Sequence, residues 1–235
     1  MLSEVSFLQK GTGKDLLFLH GYLSSKEAFT AQIDYFSRFY RVTAIDFLGF
    51  GKSAPLPTAY SVGDYAEWTA AVIRALGLQR PHVIAHSFGC RVAVKLASAE
   101  KDAFDKIVLT GAAGIILNRG FSYRLKVKAY RVCKRIAPRF AERKFGSEEY
   151  RTLSPLQKES YKKIVNEDLR VAARLVQNRT LIIQGKQDET TPLRAAQIYL
   201  ESFPCAKLRL MDGAHFAFVE NPLTFNLITE EFLYE

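Results

Sequence analysis

The sequence predicts an α/β fold: a mainly parallel, doubly wound sheet with a helical cap inserted between two of its strands. Three observations carry this. Short apolar runs rich in Val, Ile, Leu and Phe alternate with segments of helical period. The alternation stops after Gly114 and resumes at Thr180, with helical period throughout the gap. The 235 residues suffice for one substantial core plus an inserted subdomain, and a hydrophobic content of 48% fits a globular chain.

In chain order, the runs with strand character are Asp15 to His20, Tyr40 to Asp46, His82 to His86, Lys106 to Thr110, Thr180 to Gln184 and Ala206 to Met211. Most are continuously apolar rather than alternating, as expected of parallel strands covered on both faces. An earlier run, Glu4 to Gln9, is expected to form a hairpin strand at the sheet edge. Val62 to Leu76, Phe88 to Ala99, Leu193 to Phe203 and Pro222 to Leu233 have helical period, so helices are expected on both faces of the sheet. Residues 1–114 and 180–235 then form the core, and residues 115–179 the cap.

The totals narrow the function classes. The most apolar run, Ile107 to Leu117, is about half the roughly 20 residues of a spanning helix and contains glycines. The start, MLSEVSFLQKG, has neither a basic region nor a long apolar one, so no secretory signal is expected. Cys90, Cys133 and Cys205 are far apart and odd in number, which speaks against a disulfide framework or a zinc site and for a reducing cytoplasm. No metal or cofactor is expected.

The net charge of +9 is localised. Asn118 to Thr180 carries 17 Lys and Arg against 6 Asp and Glu, while the remainder of the chain is close to neutral. Within it, FSYRLKVKAYRVCKRIAPRFAERKF combines a basic face with an apolar stripe at Phe121, Leu125, Cys133, Ile136 and Phe140, broken or kinked near Pro138. Three readings stand: a solvated basic face over an apolar underside, docking of an acidic partner such as an acyl carrier protein, or attraction to an anionic membrane surface. Nucleic acid is not expected, because no binding motif accompanies the charge.

In a parallel sheet, ligands bind beyond the carboxyl ends of the strands, where helix N-termini present free N–H groups. That edge collects His20-Gly21-Tyr22, Asp46 to Ser53, Ser87-Phe88-Gly89, Asp188 and His215. Ser87, between a strand and a helix, is either a nucleophile or an ordinary helix cap. A nucleophile needs a base, and the base an orienting acid. His86 sits on an extended strand, where it points away from its neighbour. His20 belongs to a turn that it supports by hydrogen bonding, and His82 lies at the wrong end of its strand. His215, in DGAHFAFVENP after the last strand, is the preferred base. If the order is serine, acid, histidine, the acids available are Asp102, Asp105, Asp168, Asp188 and Asp212. Asp188, in GKQDETTP just after TLIIQ, is preferred, with Glu189 behind it. Asp46 to Ser53 has no G-K-[ST] at Walker spacing and no G-x-G-x-x-G pattern, and is read as a structural turn.

Together these segments resemble the α/β-hydrolase superfamily, of the serine-nucleophile, helical-cap type. LLFLHGYLSS is similar to its strand and HG loop, DFLGFGKS to its D-x-x-G-x-G-x-S turn, AHSFG to its nucleophile elbow, GKQDETTP to its acid loop and GAHFAFVENP to its histidine loop. The departure is Ala85, where the elbow pattern has glycine; the position needs a small side chain, and alanine supplies one. Cys90, where many relatives have glycine, is also small. The resemblance implies Ser87 as nucleophile, His215 as general base, Asp188 as its orienting acid, and the amides of Tyr22 and Phe88 as the oxyanion hole. It implies an acyl substrate, an ester or thioester with a largely apolar acyl group. It leaves open hydrolysis of carbon-carbon bonds in vinylogous diketones, an aminopeptidase, and a catalytically vestigial protein that binds a ligand or partner.

Overall fold

The structure, a computed structural model, describes residues 2–117 and 153–235. Seven strands form one sheet: β1 (Phe7–Lys10), β2 (Asp15–Leu19), β3 (Arg41–Ile45), β4 (His82–His86), β5 (Ile107–Thr110), β6 (Thr180–Gly185) and β7 (Ala206–Met211). Their order is β1-β3-β2-β4-β5-β6-β7, and every pairing is parallel except β1 with β3.

The expected hairpin is corrected here. The first strand lies at the edge, but it pairs with β3 rather than with its chain neighbour. Both edges of β2 are taken by the parallel strands β3 and β4, so the outer edge of β3 is the one left for β1 to cover.

Strand alternation divides the core in two. Leu17, Leu19, Val83, Ala85, Ile107, Leu109 and Ile182 pack on one face with α2 (Val62–Ala75), α3 (Phe88–Ala99) and α6 (Leu193–Ser202). Leu16, Phe18, Ile84, Val108, Leu181 and Ile183 pack on the other with α1 (Thr30–Phe36), α7 (Ala217–Glu220) and α8 (Pro222–Tyr234). The edge strand β7 carries Lys207 and Arg209, charges that discourage further strand pairing.

Between β5 and β6 the described chain forms α4 (Pro155–Val165) and α5 (Arg170–Leu175). Helix α4 starts on a capping box: Ser154 Oγ accepts from the Gln157 amide, and Gln157 Oε1 accepts from the Ser154 amide. The helix is anchored on the core at several points. Arg91 of α3, buried, donates to the carbonyls of Ile164 and Glu167, each at 2.9 Å, while Lys95 pairs with Glu167 at 2.8 Å. Ser160 Oγ accepts from the Tyr60 amide, and Lys163 donates to the Ala59 carbonyl. The basic stretch from Phe121 to Phe145, with its expected stripe and kink, lies outside the described residues.

Candidate active site

Ser87 stands between β4 and α3 with φ 49° and ψ −105°, a strained combination for a residue with a side chain. An N-cap has extended backbone and a side chain turned onto the helix. Ser87 has neither, and its hydroxyl makes no cap bond. Its amide donates to the Thr110 carbonyl at 3.1 Å, which pins the turn to the end of β5. The turn also needs backbone contact behind it. A Cβ on Gly89 would lie 2.3 Å from the Leu19 carbonyl oxygen, so only glycine lets α3 approach β2 this closely. Ala85 is fully buried in the core cluster beneath the turn, and Cys90 Sγ lies 3.1 Å from the Ala85 carbonyl.

The freed serine hydroxyl lies 3.0 Å from His215 Nε2, and His215 Nδ1 lies 2.9 Å from Asp188 Oδ2. With the Nδ1 proton donated to the carboxylate, Nε2 is left to accept from the serine. Asp188 is fixed by its own loop. Oδ1 accepts from the amides of Thr190 and Thr191, at 2.9 and 2.8 Å, and Oδ2 accepts from the Thr191 hydroxyl at 2.7 Å. Burial alone would raise its pKa, but the bonds from His215 and Thr191 outweigh that and hold the carboxyl at about 2. Asp188 is therefore ionised across the neutral range. Thr191 was not singled out from the sequence: GKQDETTP shows two threonines after the acid, but which hydroxyl turns back depends on the path of the loop.

The other acids are engaged elsewhere. Asp212 is exposed and pairs with Lys186, Asp102 lies near Arg80, and Asp105 pairs with Lys14. Asp168 accepts from the amides of Ile116 and Arg170, and Glu189 is exposed. Among the histidines, His20 Nδ1 donates to the Gly21 carbonyl at 2.7 Å and Nε2 accepts from the Phe47 amide at 3.0 Å. Burial lowers its pKa to about 4, so it stays neutral. His82 Nδ1 accepts from the Lys106 amide at the far end of β4. His86 points away from Ser87, yet it reaches the site by another route: Nε2 lies 3.0 Å from the backbone carbonyl of His215.

The HG loop and the glycine turn are held as one unit. Lys26 donates through its amide and its ammonium to the buried Asp46, at 2.8 and 2.7 Å, and the Lys52 amide adds a third bond at 2.9 Å. A Cβ on Gly51 would strike the Asp46 carboxylate, so the turn closes tightly around it. Tyr22 sits on the site side of this unit, its ring 5.7 Å from that of Phe88 and 5.3 Å from that of Tyr161. Its hydroxyl donates to the Gln157 carbonyl of α4 at 3.1 Å. Phe88 is the first residue of α3, where helical N–H groups lack intrahelical partners.

No helix among the described residues is long and apolar enough to cross a membrane, and none of their His, Cys, Asp and Glu side chains gather in threes that could hold a metal ion.

Comparison with known proteins bears on the fold. A family model described as alpha/beta hydrolase fold matches residues 15–132. The 2-hydroxymuconate semialdehyde hydrolase of Pseudomonas putida is 28% identical over 83% of this chain and 77% of its own length. The (E)-2-((N-methylformamido)methylene)succinate hydrolase of Acinetobacter baylyi is 29% identical over 45% of this chain, a match that spans only 40% of that protein. Among solved structures, an esterase from Exiguobacterium antarcticum superposes with a TM-score of 0.79 at 22% identity, covering 98% of this chain and 96% of that one.

Proposed function

The chain belongs to the alpha/beta hydrolase family, and on that premise we propose that it is a serine hydrolase cleaving an ester or thioester with a largely apolar acyl group. The observation that carries this reading is the unbroken chain of contacts from Ser87 through His215 to Asp188, at 3.0 and 2.9 Å. Ser87 attacks the acyl carbon while His215 Nε2 takes its proton. Asp188 fixes the tautomer and stabilises the imidazolium that forms. The proton then passes to the leaving group, and a water repeats the cycle to release the acid from the acyl-enzyme. The amides of Tyr22 and Phe88 receive the oxyanion.

Residues 115–179 are taken as the cap over the acyl pocket. The tie from Tyr22 to α4 supports this, since it seats α4 against the HG loop. The basic balance of Asn118 to Thr180 supports contact with an acidic carrier or an anionic surface, which salt-sensitive retention on acyl carrier protein or anionic vesicles would test.

A panel of p-nitrophenyl esters of increasing chain length, assayed with wild type and Ser87→Ala, tests the reading. Turnover that survives the substitution would exclude Ser87 as nucleophile. A second reading, cleavage of a carbon-carbon bond in a vinylogous diketone, is favoured by the relative from Pseudomonas putida that aligns over most of the chain. Rapid cleavage of a ring-fission diketone with negligible esterase turnover would reverse the order.

A further inference from the structure

His86 is a titratable side chain that the reaction scheme leaves unused, and it is 1% exposed. On one side, its Nε2–H donates to the backbone carbonyl of His215 at 3.0 Å. On the other, its ring lies against Gly21 of the HG loop, where a Cβ would come within 2.8 Å of Nδ1. Its centroid is 4.8 Å from the His215 ring, 4.7 Å from Phe216 and 4.9 Å from Phe218. Nδ1 is buried with no hydrogen-bond partner among the described residues.

An unpaired buried nitrogen costs stability, so a purely apolar ring would pack this space better if packing were its whole role. What such a ring could not supply is the donor to the His215 carbonyl. That bond fixes the tautomer: Nε2 carries the proton and Nδ1 holds the orphaned lone pair against Gly21. Burial, followed by the nearby His215, lowers the His86 pKa to about 3, so the ring is neutral and keeps this donor arrangement through the working range.

We infer that His86 is a positioning residue for the serine reaction, a wedge anchored on the nucleophile strand that sets the backbone of His215 and spaces its loop from the HG loop. The inference rests on the serine-hydrolase reading above. The loops that bring Ser87, His215 and the Tyr22 amide are far apart in the chain. The His86 imidazole touches His215 and Gly21, and its backbone runs directly into Ser87. Removing its donor lets the base drift relative to Ser87 Oγ, and displacements of about 1 Å at reacting groups cost on the order of 100-fold in rate.

The test compares wild type, His86→Phe, His86→Gln and Ser87→Ala on the preferred p-nitrophenyl ester, with the labelling rate by a fluorophosphonate as a second readout. Phenylalanine keeps a ring without the donor, and glutamine places an amide N–H near the position of Nε2. For His86→Phe, kcat and the labelling rate should fall about 10- to 100-fold with KM changed less than about threefold. His86→Gln should recover most of that loss. A merely structural role would lower folded yield and melting temperature without a kcat-specific loss or a rescue by glutamine. Ser87-dependent turnover in wild type with His86→Phe at parity overturns this inference alone. Absence of Ser87-dependent turnover in wild type overturns the serine-hydrolase reading, and this inference with it. If His86→Phe does not fold, the comparison moves to His86→Gln against His86→Asn, whose shorter amide cannot reach the carbonyl; equal kcat in that pair overturns the inference.

Discussion

Asp188→Asn separates orientation from mere presence of the acid. In wild type, Oδ1 takes two backbone donors from Thr190 and Thr191, while Oδ2 takes the Thr191 hydroxyl and His215 Nδ1–H. The amide oxygen of asparagine must keep the Oδ1 place, because two N–H groups point there and an NH2 would clash with both donors. Its NH2 then faces His215 Nδ1, which can only accept. The imidazole proton moves to Nε2 and now points at Ser87 Oγ, so the base is lost while the loop stays folded. The expected fall in kcat is on the order of 10⁴, the size attached to reversing the tautomer in a serine triad, or about 5 kcal/mol of transition-state stabilisation. Ester turnover at pH 7 to 8, with circular dichroism to confirm folding, measures it. A folded variant within tenfold of wild type would refute the tautomer argument.

Four further outcomes follow from the contacts around the site. Asp188 has a folded pKa of about 2, below its ordinary 3.8. It therefore contributes about 2 kcal/mol of stability above pH 4 that is lost as pH falls towards 2, and urea melts of wild type and Asp188→Asn should converge over that range. Gly89→Ala drives a methyl into the Leu19 carbonyl, and a loss of more than about 2 kcal/mol is expected in thermal melts. Ala85→Gly should keep turnover within about twofold and cost about 1 kcal/mol, since the buried alanine already meets the size limit of the elbow. Lys26→Met leaves the buried Asp46 carboxylate without its cation and should cost about 3 kcal/mol in denaturant titration.

The legibility of this molecule in its sequence follows the range of the interactions. Helix α3 was readable to both ends because Phe88 to Ala99 has clear helical period between a turn and a charged exit. Helix α1 leaves no clear signal in the sequence: seven residues give barely two turns, and its apolar anchors Ile33 and Phe36 are too few to establish a period. The pairing of β1 has no local signature, because it depends on how β2 uses its two edges. Ser87 was balanced between cap and nucleophile on local grounds. Its left-handed φ and absent cap bond are tertiary consequences of α3 packing on β2. The sequence favours Asp188 over Asp212 because Asp188 comes shortly after a continuously apolar strand, while Asp212 has the character of a solvated turn residue. His86, on an extended strand, reads in the sequence only as a poor base for its neighbour. Its contact with a carbonyl 129 residues further on has no signature in the chain.

Whether Ser87 is an activated nucleophile is decided by treating the folded protein with a fluorophosphonate, followed by peptide mass spectrometry. One phosphonyl group per chain is expected, on Ser87, absent from Ser87→Ala and slowed strongly in Asp188→Asn. Folded wild-type protein that takes up no label, or takes it up equally after Ser87→Ala, would contradict it.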